Sequence, residues 1–101
     1  TSLRREFKFS ILVPAADYYP QAGAEEQVLL QGVVDCCFET LEGITVVDFK
    51  TDRVDRRSVA ARAEEYRPQL AAYSRALEEI TGKPVIRRCL WFFALDQAVD
   101  V

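Results

Sequence analysis

Apolar and polar residues alternate from Phe7 to Val13. Phe7, Phe9, Ile11 and Val13 fall on one face and Glu6, Lys8 and Ser10 on the other, the period-two signature of a half-buried strand. Pro14 ends it. Positions 14 to 26 carry Pro, Gly and acidic residues without periodicity, which predicts a loop. Val28 to Thr40 is mostly apolar and predicts a second strand, covered on both faces for part of its length. Leu41-Glu42-Gly43 predicts a tight turn, with Gly43 free to take positive φ. Ile44 to Thr51, rich in β-branched residues, predicts a third strand. So short a turn makes strands two and three an antiparallel hairpin.

Beyond Thr51 the pattern changes. Asp52 to Arg57 reads as a charged connector, and Ser58 as the cap of a short helix through Tyr66. A longer helix is expected to begin at Arg67-Pro68, because Pro is tolerated at the first helical position. Leu70, Tyr73, Leu77 and Ile80 recur at three- and four-residue spacing as its apolar stripe, and Gly82 followed by Pro84 stops it. Val85 to Leu95 predicts a last strand, with Leu90-Trp91-Phe92-Phe93 as core. The order is strand, strand, strand, helix, strand. It predicts an α/β fold (an α+β mixed sheet) in which a right-handed helical crossover sets the fourth strand parallel to the third. No internal repeat or low-complexity segment interrupts it.

The 101 residues, 50% hydrophobic and 29% charged, suit one ordinary globular domain. The longest apolar stretch, Leu90 to Leu95, is far short of the ~20 residues a membrane helix needs. Thr1 to Arg5 leads straight into a strand pattern, without a signal peptide, and the chain contains no Met; we expect an excerpt of a longer protein, spanning 1–101 as a single domain. Cys36 and Cys37 are neighbours in a strand and point to opposite faces, so they are not expected to pair. Neither C-x-x-C spacing nor any His exists to build a zinc site, and the cysteines read as small hydrophobes of a reducing cytoplasm. A net charge of −3 argues against a self-sufficient nucleic-acid binder.

The unusual charges lie in the hairpin. Gly32-Val33-Val34-Asp35 sets a carboxylate inside an apolar strand, and Val46-Val47-Asp48-Phe49-Lys50 sets a carboxylate and an ammonium two residues apart, hence on one face. Whether Asp35 joins them depends on register. A two-residue turn at Leu41-Glu42 opposes Asp35 to Asp48, and one at Glu42-Gly43 opposes it to Lys50. A three-residue turn without a bulge opposes it to Phe49 and defeats convergence. The alternation favours convergence, since Phe38 and Phe49 then share the other, packed face. Two neighbouring carboxylates repel, and a hard divalent cation such as Mg²⁺ would relieve them. Such a cation polarises a phosphodiester oxygen and activates water, while Lys50 orients that water or steadies the phosphorane. A plain cross-strand ion pair with a spare carboxylate explains the same three residues, and spacing alone leaves both readings open.

The arrangement G-V-V-D, then V-V-D-F-K-T-D after a tight turn, then Q-L-A-A-Y on the following helix resembles the RecB-like nuclease family of the PD-(D/E)xK type. R-E-F-K-F-S-I-L-V-P-A, V-L-L-Q-G-V-V-D, Y-R-P-Q-L-A-A-Y-S-R-A-L-E and G-K-P-V extend the resemblance to the C-terminal nuclease domains of AddA-type helicase–nucleases. The resemblance implies a restriction-endonuclease-like core that hydrolyses DNA as an Mg²⁺-dependent exonuclease, with Mn²⁺ as substitute. It implies Asp35, Asp48 and the backbone carbonyl of Phe49 as metal ligands, Lys50 as the catalytic lysine, and Gln69 and Tyr73 as residues that position the site and the DNA strand. Read without the family, Gln69 is an ordinary polar residue of a helix start and Tyr73 a core residue. Thr51, Asp52 and Arg53 would touch phosphate or fix the connector. Arg56, Arg57, Arg62 and Arg67 form either a phosphate-facing strip or a solvated surface, and Glu6 would approach the site.

Implied partners are DNA, the helicase portion of the same parent chain and a second, AddB-like subunit, in the cytoplasm and without a membrane. A DNA-feeding motor would also excuse the acidic charge. No Gly-rich phosphate loop is present, so ATP would bind elsewhere in the parent. The family's acidic or His residue on a helix before the first strand has no counterpart here, and the four-cysteine pattern of iron–sulfur relatives is absent. The fragment could therefore fold yet be inactive alone. A nuclease-like scaffold module and a stand-alone RecB-like exonuclease are the competing readings.

Overall fold

The computed structural model describes residues 2–101. Its elements are β1 (Ser2–Pro14), a 3₁₀ turn (Ala15–Asp17), β2 (Gln27–Glu39), β3 (Ile44–Lys50), α1 (Val59–Thr81), β4 (Val85–Phe92) and β5 (Gln97–Asp100). They build a five-stranded mixed sheet in the order β1-β2-β3-β4-β5, backed by the helix. Only β3 and β4 run parallel, as a crossover through α1 requires; every other neighbouring pair is antiparallel. The mixed α/β class expected from the element order is the observed one.

Four differences from expectation have physical causes. The fifth strand was not anticipated. The apolar run continues through Leu95, but the strand ends at Phe92 and the chain reverses at 93–96, where Asp96 takes φ 49°, and Val99 returns opposite Leu90. The first strand also begins earlier, because Arg4 and Arg5 pair through their backbones with Cys37 and Cys36 regardless of side-chain pattern. The two expected helices are one, with Pro68 inside it. Pro68 cannot bond the Glu64 carbonyl, but both residues are exposed, so that oxygen is not sealed away from solvent. Ala63 and Leu70, seven apart on either side of the proline, are both buried and hold the helix to the sheet as a unit. Ile80 lies outside the buried stripe at 47% exposure, and Ala76 and Leu77 carry the packing there instead.

The core lies between α1 and one face of the sheet. Leu70, Ala76 and Leu77 meet Phe9, Val34, Val46, Leu90 and Phe92. On the opposite face Leu12, Leu29, Val33 and Phe49 are exposed. Gly43 takes φ 150°, as its turn demands, and a Cβ there would stand 2.5 Å from the Pro84 carbonyl. Gly82 ends the helix in the left-handed region, its N–H on the Glu78 carbonyl. Cys36, Cys37 and Cys89 are free thiols, and burial pushes the Cys37 and Cys89 pKa values up.

Candidate active site

The site grows out of the β2–β3 register. Cys36 opposes Val47 and Glu39 opposes Ile44, while the Thr40 N–H donates to the Gly43 carbonyl at 2.9 Å. Of the alternatives, this is the turn at Leu41-Glu42. Carried one step further, the register would set Asp35 opposite Asp48, but the ladder stops at Cys36–Val47. On the other side of β2 the ladder skips the Glu6–Asp35 position too, and Glu6 takes φ 51°. Both interruptions fall at Asp35.

That break turns Asp35 toward the helix. Up to Val34 the covered positions of β2 are even-numbered (Val28, Leu30, Gly32, Val34); from Asp35 to Glu39 every position is at least partly covered, and the buried one is Cys37, three residues from the buried Val34. Strict alternation would send Val34 and Asp35 to opposite faces. The kink admits both. Where a backbone acceptor would stand in an unbroken ladder, Asp35 Oδ2 accepts the Phe49 N–H at 2.9 Å. The Lys50 carbonyl bonds the Phe93 N–H on the β4 side. By alternation along the strand, the Phe49 carbonyl faces the gap between β2 and β3. The Phe49 side chain is not packed as expected: it is 45% exposed and touches Phe93 at 5.8 Å between ring centroids.

Asp48 is 3% exposed. Burial, together with a hydrogen bond to the Asp35 carboxyl, pushes its pKa from 3.8 up to about 6 against the pull of Lys50. Lys50 Nζ lies 2.6 Å from Asp48 Oδ2 and donates to Gln69 Oε1 at 2.8 Å. Tyr73 meets Phe9 edge to face at 5.7 Å. Its phenol pKa is raised by burial and then by the Asp48 and Asp35 charges, with a Gln69 hydrogen bond opposing them. Asp35, Asp48, Lys50, Gln69 and Tyr73 thus converge on one place.

The remaining charges divide. Asp52 accepts from Arg62 at 2.6 Å and from the Tyr66 hydroxyl at 2.8 Å, so it fixes the connector to α1; the Tyr66 bond is the main cause that lowers its pKa. Arg62 also pairs with Glu65, and Arg67 with Glu64, so both are already compensated within the helix. Thr51, Arg53, Arg56 and Arg57 are exposed, as is Glu6 beside the break.

Two residues escaped the sequence reading. Tyr66 sits under Lys50, three residues before Gln69 and seven before Tyr73; the assumed helix break at Pro68 hid that shared face. Gly32 leaves room for the ring pair: a Cβ there would lie 3.1 Å from Phe9 Cζ and 3.2 Å from Tyr73 Cε1.

The donor set suits a hard cation. Two carboxylates within hydrogen-bonding reach of each other, and a carbonyl turned to the same gap, are all oxygen ligands. Among the described residues no group of three or more His, Cys, Asp or Glu side chains comes together, so the side-chain donors here are these two carboxylates. No helix among them is long and apolar enough to cross a membrane.

The hairpin thus opens around two carboxylates and a lysine, and the helix that follows holds the lysine through Gln69. Residues 2–99 match the PD-(D/E)XK nuclease superfamily, and the chain belongs to it. More particularly, it is similar to proteins named as a subunit of an ATP-dependent helicase/nuclease. It is 43% identical to the one from Desulforudis audaxviator over 91 residues (88% of this chain, 7% of that protein). Against the Carboxydothermus hydrogenoformans protein it is 43% identical over 97 residues (95% and 8%), and against that of Bacillus cereus 35% over 109 (99% and 9%). The chain therefore spans less than a tenth of the length of these curated relatives.

Proposed function

We propose that this chain is the nuclease domain of an AddA-type helicase–nuclease and hydrolyses DNA phosphodiesters as an Mg²⁺-dependent exonuclease, with Mn²⁺ as substitute, in double-strand-break repair and recombination. One observation carries the reading. The β2–β3 ladder gives way at Asp35, and Asp35, Asp48 and Lys50 meet in the opening. A plain ion pair would not require the sheet to part.

In this reading Asp35, Asp48 and the Phe49 carbonyl would hold the cation, which when bound would supply Lewis-acid polarisation of the phosphate and a lowered pKa for water. Lys50 is the catalytic lysine: its ammonium orients the attacking water or stabilises charge that builds on phosphorus. Gln69 holds the Lys50 ammonium by accepting its hydrogen bond. Tyr73 closes the site on the β1 side through Phe9. With a net charge of −3, the domain depends on the helicase portion of the parent chain to deliver DNA. A cytoplasmic setting and an AddB-like second subunit complete the proposal.

The acidic charge also suits a scaffold module that has lost catalysis, but such a module has no use for a buried carboxylate held against a second one. The test is made in the full-length helicase–nuclease. Asp48→Ala and Lys50→Ala should each cut the cleavage rate on the order of 100- to 1,000-fold, the usual scale for losing one charge-stabilising group, while unwinding continues. Wild-type cleavage by both variants would sink the reading.

A further inference from the structure

We propose that Tyr66 is a positioning residue for Lys50, an inference that rests on the nuclease reading above. Lys50 Nζ has three neighbours: Asp48 Oδ2 at 2.6 Å, Gln69 Oε1 at 2.8 Å and the centroid of the Tyr66 ring at 3.9 Å. Asp48 is also a cation ligand in that reading, so it cannot be the only group that holds the lysine during turnover. The flexible four-carbon stem would then rest on Gln69, an exposed side chain. The ring supplies a second hold of a different kind. An aromatic face attracts an ammonium through its quadrupole and adds no negative charge to repel an approaching phosphodiester.

The ring is itself anchored at both ends. Its Cα belongs to α1, and its hydroxyl donates to Asp52 Oδ2 at 2.8 Å, on an oxygen that Arg62 also holds at 2.6 Å. Asp52 follows Lys50 by two residues, so the end of β3 and the connector are pinned to the same side chain. Tyr66 thus ties helix, connector and lysine together without touching substrate.

The experiment compares variants of the full-length helicase–nuclease. Tyr66→Phe keeps the ring and loses the hydroxyl; Tyr66→Leu loses the ring. Pentafluorophenylalanine at 66 keeps the shape but inverts the quadrupole, which guards against a leucine variant that fails to fold. Two quantities are read: kcat and KM on DNA, and the rate of reductive methylation of Lys50 by mass spectrometry with Mg²⁺ present. The leucine and pentafluoro variants should lose about 10-fold in kcat, the scale of a partly desolvated cation–π contact, with KM unchanged and Lys50 methylated faster. Tyr66→Phe keeps the ring over Lys50 and loses only the anchor to Asp52, so it should fall between wild type and these two variants in both quantities.

Wild-type kcat and labelling in the pentafluoro variant would overturn the inference. So would a loss confined to KM, or a Tyr66→Phe variant as impaired as the other two. Lys50→Ala separates the levels. If it is dead while the ring variants are normal, the positioning role alone fails; if it cleaves normally, the nuclease reading fails and takes the inference with it.

Discussion

The two ends of the β2–β3 hairpin use the same strands for opposite purposes. At the turn end, Cys36 to Glu39 pair with Val47 to Ile44 in an unbroken ladder, and Cys37, Ile44 and Val46 are buried. The charges there stay at the rim, where Lys83 pairs with Glu39 and is 54% exposed. At the other end the ladder is gone, a side chain bonds the Phe49 amide, and Asp48 and Lys50 are drawn inside. Closing a hairpin lowers free energy through hydrogen bonds and apolar packing. Opening it leaves a buried carboxylate that would rather be neutral, which is a state that a cation relieves. The packed, paired half and the opened, charged half are thereby separated along one pair of strands.

Attacking the closed end should have the largest effect on stability. Gly43→Ala puts a Cβ at φ 150° against the Pro84 carbonyl, and we expect a loss of roughly 2–4 kcal/mol in chemical denaturation. Cleavage per folded molecule should be unchanged, because the Cys36–Glu39 ladder still holds the register and the site lies at the other end of it.

A change at the open end should act in the other direction. A carboxyl raised from 3.8 to about 6 favours the folded state fully only below its unfolded value, and that contribution is lost as pH rises through about 6. Asp48→Asn removes the titration. In chelator at pH 7.5 it should be more stable than wild type by roughly 1–2 kcal/mol, and near pH 4 the difference should vanish. A variant less stable at pH 7.5 would refute the claim that the buried Asp48 carboxyl favours its neutral form. The smallest effect is expected for Lys83→Ala at the closed rim, below about 0.5 kcal/mol in the same denaturation measurement, in contrast to the loss of cleavage expected for Lys50→Ala.

Much of this was legible from the chain alone. Alternation placed Asp48 and Lys50 on one face, and the short turn made the hairpin. The letters around them resembled a nuclease family to which the chain does belong. Gln69 and Tyr73 were named from that resemblance and lie beside Lys50 and Phe9 respectively. Tyr66 was within reach of the same helical spacing, but a proline taken as a boundary concealed it.

The sequence by itself determined which residues share a face within each unbroken stretch, Asp48 and Lys50 above all, because side-chain period is a local property of the backbone. It also determined where Gly43 and Gly82 must turn or end the chain. Only the tertiary structure decided which of two turns sets the register, and that β2 kinks at Asp35 so that Val34 and Asp35 both face inward. It alone carried the helix through Pro68 and brought β5 back beside β4. Each of these is settled by hydrogen bonds and burial between residues far apart in the chain. Local periodicity says which way a side chain points, but it carries no information about the partner it meets.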